Sequence, residues 1–379
     1  MKQMIDPAVL AGVFRAFDTR ADFREALPYG TGHINDTFKV AADQGGAAVT
    51  FTLQRLNTAI FKRPETVMGN IVQITRHLAA RLADEQAPDA TRRALQVVPT
   101  RSGEPFLRAD DASCWRLYVF IDQAFTVDQV ERVEDARAAA FAFGRFQRLL
   151  ADLRGGGGSL AETIPGFHDT RARYAAFKRA VADDPRGRAA GVRLEIDFAL
   201  AHEPLAGILP PLVARGEIPV RATHNDTKVN NVLLDERTRE GICVIDLDTC
   251  MPGLALYDFG DMVRAGTNTA AEDTTQPETV ASRADVFAAL ADGFLRGSGC
   301  LTEAEIAHLP LGGQLMTLEC GVRFLTDYLE GDVYFKTHRP GQNLDRCRGQ
   351  FALVVSQEKQ YDSFRKIVAR AAAAVRTGG

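Results

Sequence analysis

The chain has 379 residues, 45 Lys and Arg against 49 Asp and Glu, and a formal net charge of -4 at pH 7. That balance provides no basic field to draw nucleic acid or an anionic membrane surface, and no apolar run approaches the length of a membrane span. The length accommodates two lobes with substantial cores. The six Cys include no C-x-x-C pair and read as buried thiols. The opening MKQMID lacks an apolar signal core, so a cytoplasmic location is expected.

The first third mixes strand and helix signals. Gly30-Thr31-Gly32 makes a turn into a strand running to Val40, and residues 47–56 form a second strand after the turn at Gln44-Gly45-Gly46. Pro64 suits a first helical turn, and Val67, Met68, Ile71, Ile74 and Leu78 share one face of a helix over 65–82. Strands follow at 95–98 and 115–121, separated by a turn at 101–105. Residues 120–123 then read as a hinge whose backbone is placed to meet an adenine edge. Beyond Asp128 the pattern is helical. A helix spans 129–153 with an apolar stripe of Phe141, Phe146, Leu149 and Leu150, and the Gly155–Gly158 run ends it as a surface connection. Helices follow at 170–182 and 191–202, resume from about 281, and include 315–329 with Leu318, Val322, Leu325 and Leu329 at core spacing. Strands first and helices afterwards predict an α+β fold of two lobes: a strand-rich N-lobe over 1–122 and a larger, mainly helical C-lobe over 123–379.

At the interruption between helices stands THNDTKVNN, residues 223–231, which reads H-x-D-x-x-x-x-N. Two short apolar runs, 232–234 and 242–245, flank a polar turn and lead to Asp246. A hairpin there brings Asn231 at its start and Asp246 at its end to one place. Both offer hard oxygens of the kind Mg2+ accepts, and Asp226 faces the same space from the preceding loop. Phosphoryl transfer asks for this set: an acid to orient or deprotonate the attacking hydroxyl, and metal ligands to balance phosphate charge. Lys228 is placed to stabilise the transferring phosphoryl group, and His224 to brace the loop by hydrogen bonds.

Gly30 and Gly32 occupy the position of a nucleotide-covering loop, with Asn35 just beyond. No Walker lysine is present. On the second strand the phosphate-pairing cation falls to Arg55, although Gln54 alternates onto the opposite face and only one of the two points inward. Glu65, in the first turn of the next helix, is a candidate acidic partner.

Taken together, these residues resemble the aminoglycoside phosphotransferase and choline kinase superfamily, whose fold is protein-kinase-like. Longer strings resemble its N-acetylhexosamine 1-kinase branch: residues 29–37 (YGTGHINDT), 53–61 (LQRLNTAIF), 164–170 (IPGFHDT), 245–253 (IDLDTCMPG), 257–264 (YDFGDMVR) and 323–336 (RFLTDYLEGDVYFK). The resemblance implies ATP- and Mg2+-dependent phosphorylation of the anomeric hydroxyl of N-acetylglucosamine or N-acetylgalactosamine. Asp226 is then the base and Asn231 and Asp246 the metal ligands, with Asp258 and Asp261 bracing the loop. It also points to Arg323 and Tyr334 as sugar contacts, where spacing alone suggests an i,i+4 salt bridge from Arg323 to Asp327. Residues 313–348 alternate acids and bases, which suits a neutral polyol better than a polycation or a choline-like cation. The competing expectations are a kinase of another small alcohol or amino sugar, and a non-catalytic binder on a kinase-like fold. The partners expected are nucleotide and sugar, with neither nucleic acid nor membrane.

Overall fold

The computed structural model describes residues 5–30, 34–110, 112–153 and 160–377. Gly32 and the 155–158 glycine run lie outside them. The N-terminal part is a sheet of β1 (Asp22–Pro28), β2 (Asp36–Gln44), β3 (Ala47–Leu56), β4 (Val97–Val98), β5 (Leu107–Arg108) and β6 (Cys114–Val119). Its order is β1-β2-β3-β6-β4, with β5 also on β6, and every pairing is antiparallel.

Strand alternation divides this sheet chemically. Phe51 and Leu53 of β3, with Trp115 and Leu117 of β6, pack against Leu10, Val13 and Phe14 of helix α1 (Pro7–Arg15). Leu56, Cys114 and Tyr118 point the other way, against Val67, Met68 and Ile71 of α2 (Pro64–Asp84). Gln54 stands on this second face directly across from Arg116, while Arg55 stands on the first across from Trp115.

The rest is helical around two small sheets. β7 (Ala124–Phe125) pairs with β9 (Val232–Asp235), which pairs with β10 (Gly241–Val244) in the expected hairpin; β8 (Arg221–Thr223) pairs with β11 (Met251–Gly253). Helices α3 (Val133–Leu149), α4 (Thr170–Asp183), α5 (Arg193–His202), α6 (Leu209–Ala214), α7 (Ala255–Gly266), α8 (Ala284–Ser298), α9 (Glu303–Glu330), α10 (Gln342–Lys359) and α11 (Tyr361–Thr377) complete the fold. None of the described helices is long and apolar enough to cross a membrane.

Two helical expectations change. The helix foreseen over 129–153 is α3, shorter at both ends, and Phe141 is 41% exposed instead of lining the core. The packing face of α3 is its Ala-rich one, because α8 approaches closely: a Cβ on Gly144 would lie 2.3 Å from the Phe294 carbonyl oxygen. A bulky aromatic has no room on that seam and turns outward. Helical structure also resumes at α7, well before residue 281. α7 is the element that fixes the loop over residues 223–231.

Candidate active site

The loop after β8 is locked before it reaches Asp226. Thr223 Oγ1 donates to Met251 O (3.0 Å), and Thr249 Oγ1 donates to His224 O (2.7 Å). His224 and Asn225 donate their backbone N–H groups to the two carboxylate oxygens of Asp258 on α7, at 3.0 and 2.7 Å. His224 Nε2 donates to Ile245 O (2.8 Å), and its Nδ1 accepts from Asp226 N (3.3 Å). The imidazole therefore ties the loop to the strand that delivers Asp246, and its ring packs edge-on to Phe143 and Phe146 of α3. Asn225 turns the chain in the left-handed region (φ 64°), a conformation Asn tolerates better than branched residues.

A cleft of about 510 Å³ lies between the N-terminal sheet and this loop. Asp226, Lys228, Asn231 and Asp246 all line it. Ile245 N donates to Asn231 O (2.9 Å), which closes the hairpin's two ends onto each other. Asn231 Nδ2 donates to the Asp226 carbonyl (2.8 Å) and to Asp226 Oδ2 (3.3 Å), leaving the amide oxygen as the atom to face a cation. Lys228 Nζ sits 2.9 Å from Asp226 Oδ1. Burial alone would raise the Asp226 carboxyl. The Lys228 ammonium outweighs that and holds it below its ordinary value, and Asp226 in turn holds the lysine above its own.

Asp246 differs. It occupies the left-handed region (φ 58°, ψ 55°), a cost of order 1–3 kcal/mol for a residue with a Cβ, which functional sites carry when the surroundings enforce it. The protein encloses it from behind, and the Asp248 and Asp226 carboxylates add repulsion, so its carboxyl is pushed up to about 6. A divalent cation would relieve that crowding. Among the described residues no three His, Cys, Asp or Glu side chains form a metal cage. One carboxylate plus one amide oxygen beside an open cleft is nevertheless the donor set of Mg2+, which keeps waters and takes phosphate oxygens as further ligands. The residues present fit such an ion.

On the sheet side Gly30 (φ 74°) and Asn35 line the cleft. Arg55 does not. Its Nε and Nη2 donate to Asp36 Oδ2 at 2.9 and 2.6 Å, on the α1 face of the sheet. Gln54 takes the inward position instead, and Arg116 of β6 beside it is 1% exposed. Arg116 forms a two-pronged ion pair with Asp248, its Nη2 3.1 Å from Oδ2, and its Nε donates to Gln54 Oε1 (2.8 Å). Asn35 Nδ2 also donates to Asp248 Oδ2 (2.6 Å). Glu65 is turned away, paired with Arg108 at the surface. At the hinge, Arg92 Nη2 donates to the Asp122 and Gln123 carbonyls (2.8 and 2.9 Å), while Phe120 and Ile121 line the cleft.

Arg323 and Tyr334 come together, and neither lines this cleft. The Arg323 guanidinium lies over the rings of Phe167 (5.2 Å), Phe335 (5.4 Å) and Tyr334 (5.8 Å). The salt bridge to Asp327 does not form. Asp327 is buried, and its carboxylate accepts the backbone N–H groups of Val333, Tyr334 and Phe335, shaping the loop that carries the tyrosine. One turn before Arg323 on α9, Glu319 Oε1 lies 2.8 Å from His168 Nδ1 and its Oε2 accepts from Thr170 Oγ1 (2.6 Å). His168 Nε2 is 3.1 Å from the carbonyl of Asn225, the residue before Asp226. Both ring nitrogens thus face acceptors, which requires both to carry protons.

The amino-acid sequence matches the phosphotransferase enzyme family over residues 25–304, most of the chain. The chain belongs to that family. Among solved structures, an aminoglycoside phosphotransferase from Alicyclobacillus acidocaldarius subsp. acidocaldarius aligns with 100% of this chain and 97% of its own, at 13% identity and TM-score 0.57. A choline kinase from Cryptosporidium parvum Iowa II aligns with 94% and 96%, at 14% identity and TM-score 0.57. Spectinomycin phosphotransferase, solved with ADP and spectinomycin, aligns with 94% and 100%, at 13% identity and TM-score 0.56. This likeness establishes the two-lobed kinase-like fold.

In this member of the phosphotransferase family the His168–Glu319 pair joins α9 to the loop that carries Asp226. Burial pulls the imidazole down, but the Glu319 carboxylate outweighs it and holds it above its ordinary value of 6.5. A raised histidine contributes stability that is full below about 6.5 and is lost as pH climbs through the raised value. His168→Gln is therefore expected to cost roughly 3 kcal/mol in mildly acidic buffer, with the gap to wild type narrowing as pH rises. Urea unfolding at several pH values measures it; a gap that widens with pH would reject the charged pair.

Proposed function

We propose that this chain is an N-acetylhexosamine 1-kinase, transferring the terminal phosphoryl group of ATP to the anomeric hydroxyl of N-acetylglucosamine or N-acetylgalactosamine. The observation that carries the reading is the convergence of Asp226, Asn231 and Asp246 on one cleft. Asp226, kept ionised by Lys228, orients the anomeric hydroxyl and accepts its proton as the new O–P bond forms. The bond to the leaving ADP oxygen breaks in line, and Lys228 stabilises the charge on the moving phosphoryl group. Asn231 and Asp246 would hold Mg2+, which supplies charge compensation on the phosphates. We place the nucleotide lobe at 1–122 and the acceptor lobe at 123–379, and the reaction in the cytoplasm.

The acceptor assignment rests on the resemblance of the longer strings and on the surroundings of Arg323. Three aromatic rings already enclose its guanidinium, so a quaternary ammonium finds that cage occupied. Arg173 lies close enough that burial and then the Arg323 charge push its own guanidinium below its ordinary value. Two neighbouring guanidiniums repel a polycationic acceptor and suit the oxygens of a neutral sugar. Incubation with Mg-ATP and a panel of hexosamines, aminoglycosides and choline, read by phosphorus NMR, should give a sugar 1-phosphate. A 6-phosphate, or transfer to the cationic acceptors alone, would overturn the assignment.

A further inference from the structure

Kinase chemistry needs a cation fixed on the N-terminal sheet to pair the non-transferring phosphates, and β3 has none facing inward. Its cleft-facing residues are Thr52 and Gln54, and its arginine is committed to Asp36 on the far face. We propose that Arg116, on the neighbouring strand β6, is that phosphate-pairing cation, and that Asp248 is the acid that positions it. This rests on the kinase reading above.

Among the described residues, Arg116 and Lys228 are the only basic side chains lining the cleft, against the carboxylates of Asp128, Asp226 and Asp246. Lys228 is engaged by Asp226 on the opposite wall. Of the residues lining the sheet side of the cleft, Arg116 is therefore the one cation an incoming polyphosphate meets; Lys39 of β2 stands at the hinge, its ammonium 4.3 Å from the Phe120 ring. A buried guanidinium is costly unless held by a geometry that satisfies it. Here Asp248 takes two of its N–H groups, Gln54 takes Nε–H, and Met68 of α2 presents its sulfur 4.0 Å from Nη1. A guanidinium carries five N–H donors. With these partners, one Nη2 N–H is left without a protein acceptor among the described residues.

The arrangement exchanges two parts at once. The cation moves one strand over, and its acidic partner moves from the helix to the turn after β10. Helix α2 offers a thioether where an acid would be needed, and Glu65 faces solvent with Arg108. Because Asp248 is two residues beyond Asp246, the pair couples the nucleotide wall to the metal-ligand position through a single short turn. Asn35, donating to Asp248 and accepting from Asn57 N (3.0 Å), ties the start of β2 to the same point.

Removing Arg116 alone would strand Asp248 as an unpaired buried charge, so the test uses Arg116→Gln with Asp248→Asn, which keeps an acceptor for Asn35. Calorimetric titrations with ADP and with adenosine separate phosphate contacts from base contacts. The double variant should bind ADP about tenfold to a hundredfold more weakly while adenosine affinity is unchanged. Adding Gln54→Lys should regain most of that loss by returning a cation to β3. Equal weakening of ADP and adenosine, or unchanged ADP binding, would overturn the assignment. Wild-type protein that binds no adenine nucleotide would instead overturn the kinase reading, before Arg116 is altered.

Discussion

Asp226→Asn is expected to abolish turnover while leaving nucleotide binding intact. The change is nearly isosteric, and the Asn231 amide can still donate to the residue's carbonyl and to the new side-chain oxygen. What disappears is the negative charge. An amide cannot accept the hydroxyl proton, and a neutral neighbour no longer fixes the Lys228 ammonium at 2.9 Å. Loss of a positioned acid or base lowers turnover by roughly 10²–10⁴-fold. The nucleotide contacts expected on the sheet side, around Gly30, Gln54 and Arg116, do not touch Asp226, so ADP affinity by calorimetry should match wild type. The lysine should also titrate lower, since Asp226 is the main cause of its elevation. Turnover within a few-fold of wild type, measured by steady-state kinetics with the preferred sugar, would remove Asp226 from the base role.

That Asp226, Asn231 and Asp246 meet was readable because they are local in sequence. H-x-D-x-x-x-x-N, a short hairpin and a terminal Asp lie in one continuous stretch from Thr223 to Asp246, so backbone geometry alone decides that they meet. Strand β3 was readable to its ends, Ala47–Leu56. What strand periodicity could not supply was which of Gln54 and Arg55 faces inward, because alternation fixes the pair's opposition and not its phase. The phase is set by α1 and the aromatic layer of Phe38, Phe51 and Trp115 beneath it, and neither α1 nor β1 was legible from apolar spacing. Arg116 did leave a signal. It is a charged residue inside the otherwise apolar run Cys114-Trp115-Arg116-Leu117-Tyr118-Val119, and such a charge must have a partner. That partner, Asp248, is 132 residues away, beyond the reach of any spacing rule. The same holds for His168 and Glu319, separated by 151 residues. Conversely, Arg323 and Asp327 stand at ideal helical spacing and do not pair, because three backbone N–H groups of the following loop compete for the carboxylate and are buried with it.

Asp258 distinguishes bracing from metal binding in this site, and its removal should be the most destabilising single change near it. The carboxylate is fully buried and accepts three hydrogen bonds: from the Gln147 amide (2.5 Å), His224 N (3.0 Å) and Asn225 N (2.7 Å). Burial pushes its carboxyl up, and these donors with the nearby His224 pull part of the way back. Asp258→Ala leaves two backbone N–H groups and an amide without an acceptor in a site closed to water. At roughly 1–3 kcal/mol per unsatisfied donor, partly relieved by relaxation, the expected loss is about 3–5 kcal/mol in urea unfolding. Asp258→Asn should cost less, because its remaining oxygen can serve one side of the network while its NH2 opposes the other. The decisive comparison is with magnesium. A residue that only holds the loop changes the unfolding midpoint equally with and without the ion, whereas a ligand loses stability mainly where the ion is present. Turnover should fall with Asp258→Ala beyond what the unfolded fraction explains, because His224 and Asn225 are the two residues that aim Asp226 into the cleft. An unchanged midpoint in metal-free buffer would show that the loop is held by something other than α7.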